Sequence, residues 1–471
     1  MNRMLLVLVL SLLTAGLAAA RQAASPVPDA KIDAVFSRWT DQTPGCAVGV
    51  SRAGTPIVQK AYGMADLEHG VPNRPDTIFE AGSVSKQFTA AAVLLLAQEG
   101  KLSLDDPARK YVPELPDYGA PLTIRHMLQH TSGLRDWGEV ASIAGWPRTS
   151  RVHTHAHVLD ILSRQKALNF PSGTQYSYSN SGYNLAAIIV SRVSGTSFAD
   201  FSRERIFEPL GMTRTSWRDD HTRIVKGRAT AYAAASGGFR INMPFENVHG
   251  NGGLLTTVGD LLTWNENFVT PKVGDAAFVK LQQTPGVFND GKAHTYAMGL
   301  MVAPYRGVAE VGHSGSTAGY RAHLTRFPEQ HLSVAVLCNV GSGAATQYAR
   351  TIAGMYLADA LQPAPANTGG RGGAPQRAAQ NPPDGSAMIG PVPAGRFYSD
   401  EAEVTFEIEL GTEELILKRR PDGRTVLRKV GEDEYAFGGN RLVFIRDAKG
   451  EVTELSVRGS RVFDLRFRRV N

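Results

Sequence analysis

The chain has 471 residues, 42% of them hydrophobic and 20% charged, enough to bury more than one core, so two domains are the starting expectation. Its formal charge of +6 suits anionic wall polymers or membrane surfaces, but no single dense basic run concentrates that charge, which argues against nucleic-acid binding. Residues 1–20 come first: Met1-Asn2-Arg3, an apolar run from Met4 to Leu17, then Ala18-Ala19-Ala20. That is the layout of a cleavable secretory signal, and the run is too short for a spanning helix. No cysteine lies near the cleavage point, which argues against a lipid anchor, and no later run is long enough to cross a membrane. The expectation is a periplasmic or secreted protein without a transmembrane segment after signal removal.

Two strand-like runs follow, Cys46 to Val50 and Ile57 to Tyr62. Next comes Ser83-Val84-Ser85-Lys86, directly before the helix-forming run Gln87 to Glu99 and the capping position Gly100. Side chains at i and i+3 share a helix face, so the Lys86 amine can reach the Ser83 hydroxyl. A serine needs such a base, and lysine serves only if desolvation or a helix N-terminus lowers its pKa. The first turn also offers free N–H groups to an oxyanion. The tetrad is weak alone, because Ser163-Arg164-Gln165-Lys166 spells it again; that copy falls inside a predicted helix and before Leu168-Asn169-Phe170-Pro171.

His153-Thr154-His155-Ala156-His157, with Asp160, faintly echoes a metallo-hydrolase signature, but His157 stands where aspartate belongs and Val158 to Leu162 reads as helix. A solvated helix start is the better account, and no cofactor or metal is assigned. Tyr178-Ser179-Asn180 ends a polar stretch before the helix-like run Leu185 to Val193. A tyrosine hydroxyl can relay a proton, and an asparagine amide matches a peptide group with one donor and one acceptor; alone, the triplet reads better as a helix N-cap with neighbouring packing tyrosines. Gly250 to Thr257 is glycine-rich without a phosphate-loop ending, so it is read as a tight turn. His313-Ser314-Gly315 continues the strand-like Val308 to Gly312 and precedes Ser316, a strand edge whose small residues would let substrate lie against backbone. The cation-x-Gly matches at Lys272 and Lys429 have no such strand.

In their spacing and order these three elements closely resemble the signatures of the serine β-lactamase and penicillin-binding D,D-peptidase superfamily. The Tyr-x-Asn form, with Leu128-Gln129-His130-Thr131-Ser132-Gly133-Leu134 and Phe207-Glu208-Pro209-Leu210-Gly211-Met212, is similar to the class C branch, which also holds D-aminopeptidases, alkaline D-peptidases and esterases. The resemblance runs from about Lys31 to Leu361. It implies a mixed α/β (α+β) fold: an antiparallel sheet built from the N-terminal hairpin and three strands between about Val308 and Asn339, flanked by helices, with a helical insertion. It also implies that Ser83 is acylated, that Lys86 and Tyr178 share the proton transfers, and that Asn180 holds the substrate amide. His313 would form the far wall with Gly315, and the oxyanion hole would be the N–H groups of Ser83 and Ser316.

Where typical class C β-lactamases carry lysine this chain has His313, only partly cationic near neutral pH, so a substrate carboxylate is held less firmly. That favours peptidase or esterase chemistry on D-amino-acid peptides or esters, peptidoglycan fragments among them, over a β-lactamase. A non-catalytic sensor of wall fragments or β-lactams is the alternative of a different kind. The family fold makes the strands of Cys46 and Cys338 neighbours, which leaves open a disulfide or two buried thiols.

Residues 362–394 are poor in large apolar side chains and rich in Pro, Gly and Ala, a linker by composition. Residues 395–471 alternate, as in Val404 to Leu410 and Arg441 to Ile445, with turn signals such as Pro421-Asp422-Gly423. The expectation is a small antiparallel β-barrel, similar to the lipocalin-like barrels of some D-aminopeptidase relatives, without catalytic residues of its own and free to cover or shape the site, mediate oligomers or only stabilise.

Overall fold

The computed structural model describes residues 27–363, 394–411 and 414–471; the expected signal and most of the linker lie outside them. The central sheet has six antiparallel strands: β1 (Cys46–Arg52), β2 (Thr55–Tyr62), β3 (Met301–Tyr305), β4 (Val308–Thr317), β5 (Tyr320–Phe327) and β6 (Leu332–Cys338), in the order β3-β4-β5-β6-β1-β2. Its period-two pattern sorts the core. Val48, Val50, Val334 and Val336 point to one face, where Ile352 of the helix Ala345–Tyr356 covers them together with Phe36. Ala47, Ala335 and Leu337 point to the other, against Leu261 and Leu262 of the helix Val258–Glu266.

The expected edge at His313 needs a correction, because β4 is an inner strand. β3 pairs only from Val308 to Gly312 and stops. Residues 313–317 therefore keep one open edge, beside the turn that carries Ser83. Cys46 and Cys338 face each other in the β1–β6 register and are joined by a disulfide, which closes the question the sequence left open.

The helix Lys86–Gln98 is buried around its whole circumference over its first 11 residues, Lys86 to Leu96. Ala90, Ala91 and Ala92 keep it thin, and the helix Asn180–Ser194 packs along it. A helix apolar on all sides must sit in a core, and here it carries Lys86 in with it.

The eight strands from Gly395–Ser399 to Leu465–Val470 form a closed antiparallel barrel. Alternate residues fill its interior, among them Val404, Phe406 and Ile408, and the rings of Phe406 and Phe467 stack at 4.3 Å. The barrel packs on the segment Arg135 to Gly145 and on the residues after Ser163. Arg135 forms a buried ion pair with Glu401, whose carboxylate also accepts from Lys166 N–H at 2.7 Å. Arg420 donates to Ala144 O at 3.0 Å.

Candidate active site

Ser83 lies in a tight 3-10 turn, Gly82–Ser85, that leads into the helix beginning at Lys86, a slight shift from the α-helical first turn expected. Gly82 is required there: its φ is +51° and a Cβ would lie 2.6 Å from Ser316 N. Gly315 makes the matching approach, since a Cβ on it would lie 2.0 Å from Ala81 O. The two glycines bring the Ser83 turn against the open end of β4, so the backbone of Ser83 and that of Ser316 border one space.

The Lys86 side chain is completely buried. Burial pushes its pKa well below the usual lysine value, and the positive charges of Arg461 and Arg148 push the same way against Asp136. A neutral amine has two N–H donors and one lone pair. Nζ has three neighbours: Asn251 O at 2.6 Å, Asn180 Oδ1 at 3.0 Å and Ser83 Oγ at 3.1 Å. The two carbonyl oxygens can only accept, so they take both N–H groups. The lone pair is left facing the Ser83 hydroxyl, which is the arrangement a general base needs.

Tyr178 also reaches Ser83, with which its hydroxyl shares a hydrogen bond. Burial raises its pKa, outweighing the hydrogen bond to Ser83 and the charge of Arg461. It is therefore a phenol that can give a proton. Lys86 Nζ lies 4.9 Å from the centre of its ring, and His130 packs on the ring at 4.2 Å. His130 is itself fixed, with φ +58° and Nδ1 accepting from Ser179 N–H at 3.2 Å.

Asn180 is more committed than the sequence implies. Its Oδ1 faces Lys86, while its backbone N–H and its Nδ2 donate to Asp136 Oδ2 at 2.8 and 2.9 Å. One amide N–H remains for a substrate carbonyl. His313 is more committed still. Nδ1 donates to Ser314 O at 2.5 Å, so Nε2 accepts from the Tyr296 hydroxyl at 3.0 Å. Burial and the nearby Lys86 push its pKa down to about 3, so it is a neutral imidazole whose two nitrogens are both occupied. This corrects the expectation of a partly cationic side chain offered to substrate.

Four contributors escaped the sequence. Asn251 supplies a carbonyl to Lys86 from the glycine-rich turn. Asp136 orients Asn180, His130 supports Tyr178, and Arg461 enters from the barrel. Its Cζ lies 4.9 Å from the centre of the Tyr178 ring and Nη1 3.7 Å from Asp136 Oδ2. Asp136 carried one legible signal, as an N-cap before the helix Trp137–Ile143. The remaining candidates serve elsewhere. Lys166 pairs with Asp400 at 3.0 Å. His153 packs on Trp137 and edge-on against His157 at 6.0 Å, His155 bonds His249 O, and His157 closes a capping box with Thr154.

A turn-borne serine, a buried lysine and a tyrosine-x-asparagine helix start, set against an antiparallel sheet, define the serine-acylating class of α/β fold. The chain belongs to the Beta-lactamase family, whose model matches residues 29–394. It is similar to a D-aminopeptidase of Gluconobacter oxydans (strain 621H), 30% identical over 328 residues, covering 69% of this chain and 61% of that one. A D-aminopeptidase of Brucella anthropi is 29% identical over 304 residues, 64% of this chain and 57% of the relative, so the chain spans about three-fifths of the length of these curated relatives. Among solved structures, the octameric penicillin-binding protein homologue from Pyrococcus abyssi shares the fold over 94% of this chain and 100% of its own, with TM-score 0.62 and 23% identity. The D-amino acid amidase from Ochrobactrum anthropi SV3, complexed with L-phenylalanine, covers 70% of this chain and 98% of its own at TM-score 0.59 and 23% identity.

Proposed function

We propose that the chain is a serine hydrolase that cleaves amides of D-amino acids through an acyl-enzyme on Ser83. The observation that carries this reading is the fully buried Lys86 amine, held by the Asn251 and Asn180 carbonyl oxygens with Ser83 Oγ as its third neighbour at 3.1 Å. The Ser83 proton passes to Lys86 as Oγ bonds to the substrate carbonyl carbon, and the oxyanion sits between the N–H groups of Ser83 and Ser316. Tyr178 gives its proton to the leaving nitrogen as the C–N bond breaks, and the proton held by Lys86 restores the phenol. Water then attacks the ester by the same route in reverse, releasing the D-amino acid and free Ser83.

Two features support amide over β-lactam or C-terminal peptide substrates. The curated relatives are D-aminopeptidases. His313 is neutral and occupied, so the place of the β-lactamase lysine offers no cation to a carboxylate. The signal-like sequence of residues 1–20 supports action in the periplasm or medium. No helix of the described residues is long and apolar enough to cross a membrane.

Intact-mass measurement with a fluorophosphonate is the direct test: one adduct on the wild type and none on Ser83→Ala is expected. A panel of D-alaninamide, L-alaninamide, a D-alanyl ester, D-Ala-D-Ala peptide and nitrocefin then sorts substrates. Rapid nitrocefin turnover with poor D-alaninamide turnover would overturn the amidase reading.

A further inference from the structure

Arg461 is fixed by its backbone and free at its tip. Its carbonyl accepts from Asp136 N–H at 3.2 Å and from Asn169 Nδ2 at 2.9 Å. Two residues on, Phe463 N–H donates to Asn169 Oδ1 at 2.9 Å and its ring lies 5.9 Å from Phe170. The side chain, by contrast, rests on the Tyr178 ring and approaches Asp136 only to 3.7 Å, where Oδ2 already accepts twice from Asn180. Among the described residues the guanidinium makes no hydrogen bond, and the side chain is 39% exposed. A planar fork of five N–H donors thus stands unclaimed beside the group that protonates the leaving nitrogen.

Lys86 and His313, which line the same cleft, have no such capacity. Lys86 directs both N–H groups to Asn180 and Asn251, and His313 has both nitrogens engaged. We propose that Arg461 binds the carboxylate of the leaving group, so that the preferred substrates are D-aminoacyl dipeptides with a free C-terminus. This deepens, and rests on, the reading of the site as a hydrolase of D-amino-acid amides. In a leaving group one residue long, the carboxyl carbon lies roughly 2.5 Å from the nitrogen by covalent geometry, within the span of a guanidinium stacked on the same tyrosine. Each further residue carries the carboxylate up to about 3.6 Å away. A carboxamide at the same place offers no charge and only half the bidentate match.

The test is kcat/KM for D-alanyl-glycine, D-alanyl-glycinamide, D-alanyl-glycyl-glycine and D-alaninamide, with the full chain. Wild type should favour D-alanyl-glycine over its carboxamide by tenfold or more and over the tripeptide by a smaller factor. Arg461→Gln should bring the first ratio near one, Arg461→Lys should keep part of it, and Arg461→Glu should invert it. On the wild type alone, raising the salt concentration should shrink the ratio, as expected for a half-exposed ion pair. Turnover of D-alaninamide with a dipeptide-to-carboxamide ratio near one, or a ratio unchanged in Arg461→Gln, overturns the assignment of Arg461 alone. Failure to turn over any of the four overturns the amide reading with it.

Discussion

Ser83–Lys86 and Ser163–Lys166 have the same spelling and spacing, and their surroundings make them different chemistry. Lys86 is carried into the core by an apolar helix and has only acceptors and a hydroxyl around it. The Lys166 side chain is 67% exposed and pairs with Asp400, while Ser163 donates to Asp160 O of its own helix at 2.8 Å. Burial pushes the pKa of the first amine down, while the second stays in water beside a carboxylate. The spacing supplies reach, and desolvation supplies reactivity.

The largest effect expected from this contrast is on turnover. Ser83→Ala should lower kcat/KM for D-alaninamide by about 10⁴-fold or more, while Ser163→Ala leaves it unchanged. Lys86→Arg puts a permanent cation where the lone pair stood; it should cost about 10²- to 10⁴-fold in kcat. The pH profile sharpens the same point. Activity should fall as acid protonates Lys86, at a pH well below the ordinary lysine value of about 10.4, and that limb should vanish in Lys86→Arg. The alkaline limb should lie above the ordinary phenol value of about 10, because burial holds Tyr178 protonated.

Effects on stability come next. Glu401→Ala would strand the buried Arg135 between the domains and should destabilise the fold by about 3–5 kcal/mol, read from denaturant unfolding. His313 contributes a slope. Its folded pKa of about 3 lies below the unfolded value of 6.5, so between these the unfolded chain binds the extra proton and stability falls as pH falls. His313→Asn should flatten that dependence by up to about 1.4 kcal/mol per pH unit within this window. The smallest effect closes the comparison: Lys166→Gln, in an exposed pair, should change stability by at most about 1 kcal/mol.

What could be read from the chain was what is local. Ser83 and Lys86 are three residues apart on one turn, Tyr178 and Asn180 flank a helix start, and His313 and Gly315 lie along one strand, so their spacings survive in the sequence. The barrel was legible because its strands alternate and its turns are marked. Asp136 meets Asn180 across 44 residues, and Arg461 meets Tyr178 across the whole linker; no local pattern encodes such meetings. The loss of charge on His313 depends on burial and on the nearby Lys86, neither of which the triplet reveals. Strand β3 was missed for a plainer reason. Met301-Val302-Ala303-Pro304-Tyr305 contains a proline, tolerated only because this strand lies at the sheet's edge.

The barrel loop bearing Arg461 bounds how freely this architecture can be rearranged. Asp136 grips both the asparagine that steadies the base and the backbone of a loop from the other domain, so substitutions on either side are constrained together. A transplanted barrel would need partners for Asp136, Asn169 and Arg135 as well as a matching linker. The two folding units are separable in topology, yet they must be inherited as a matched set.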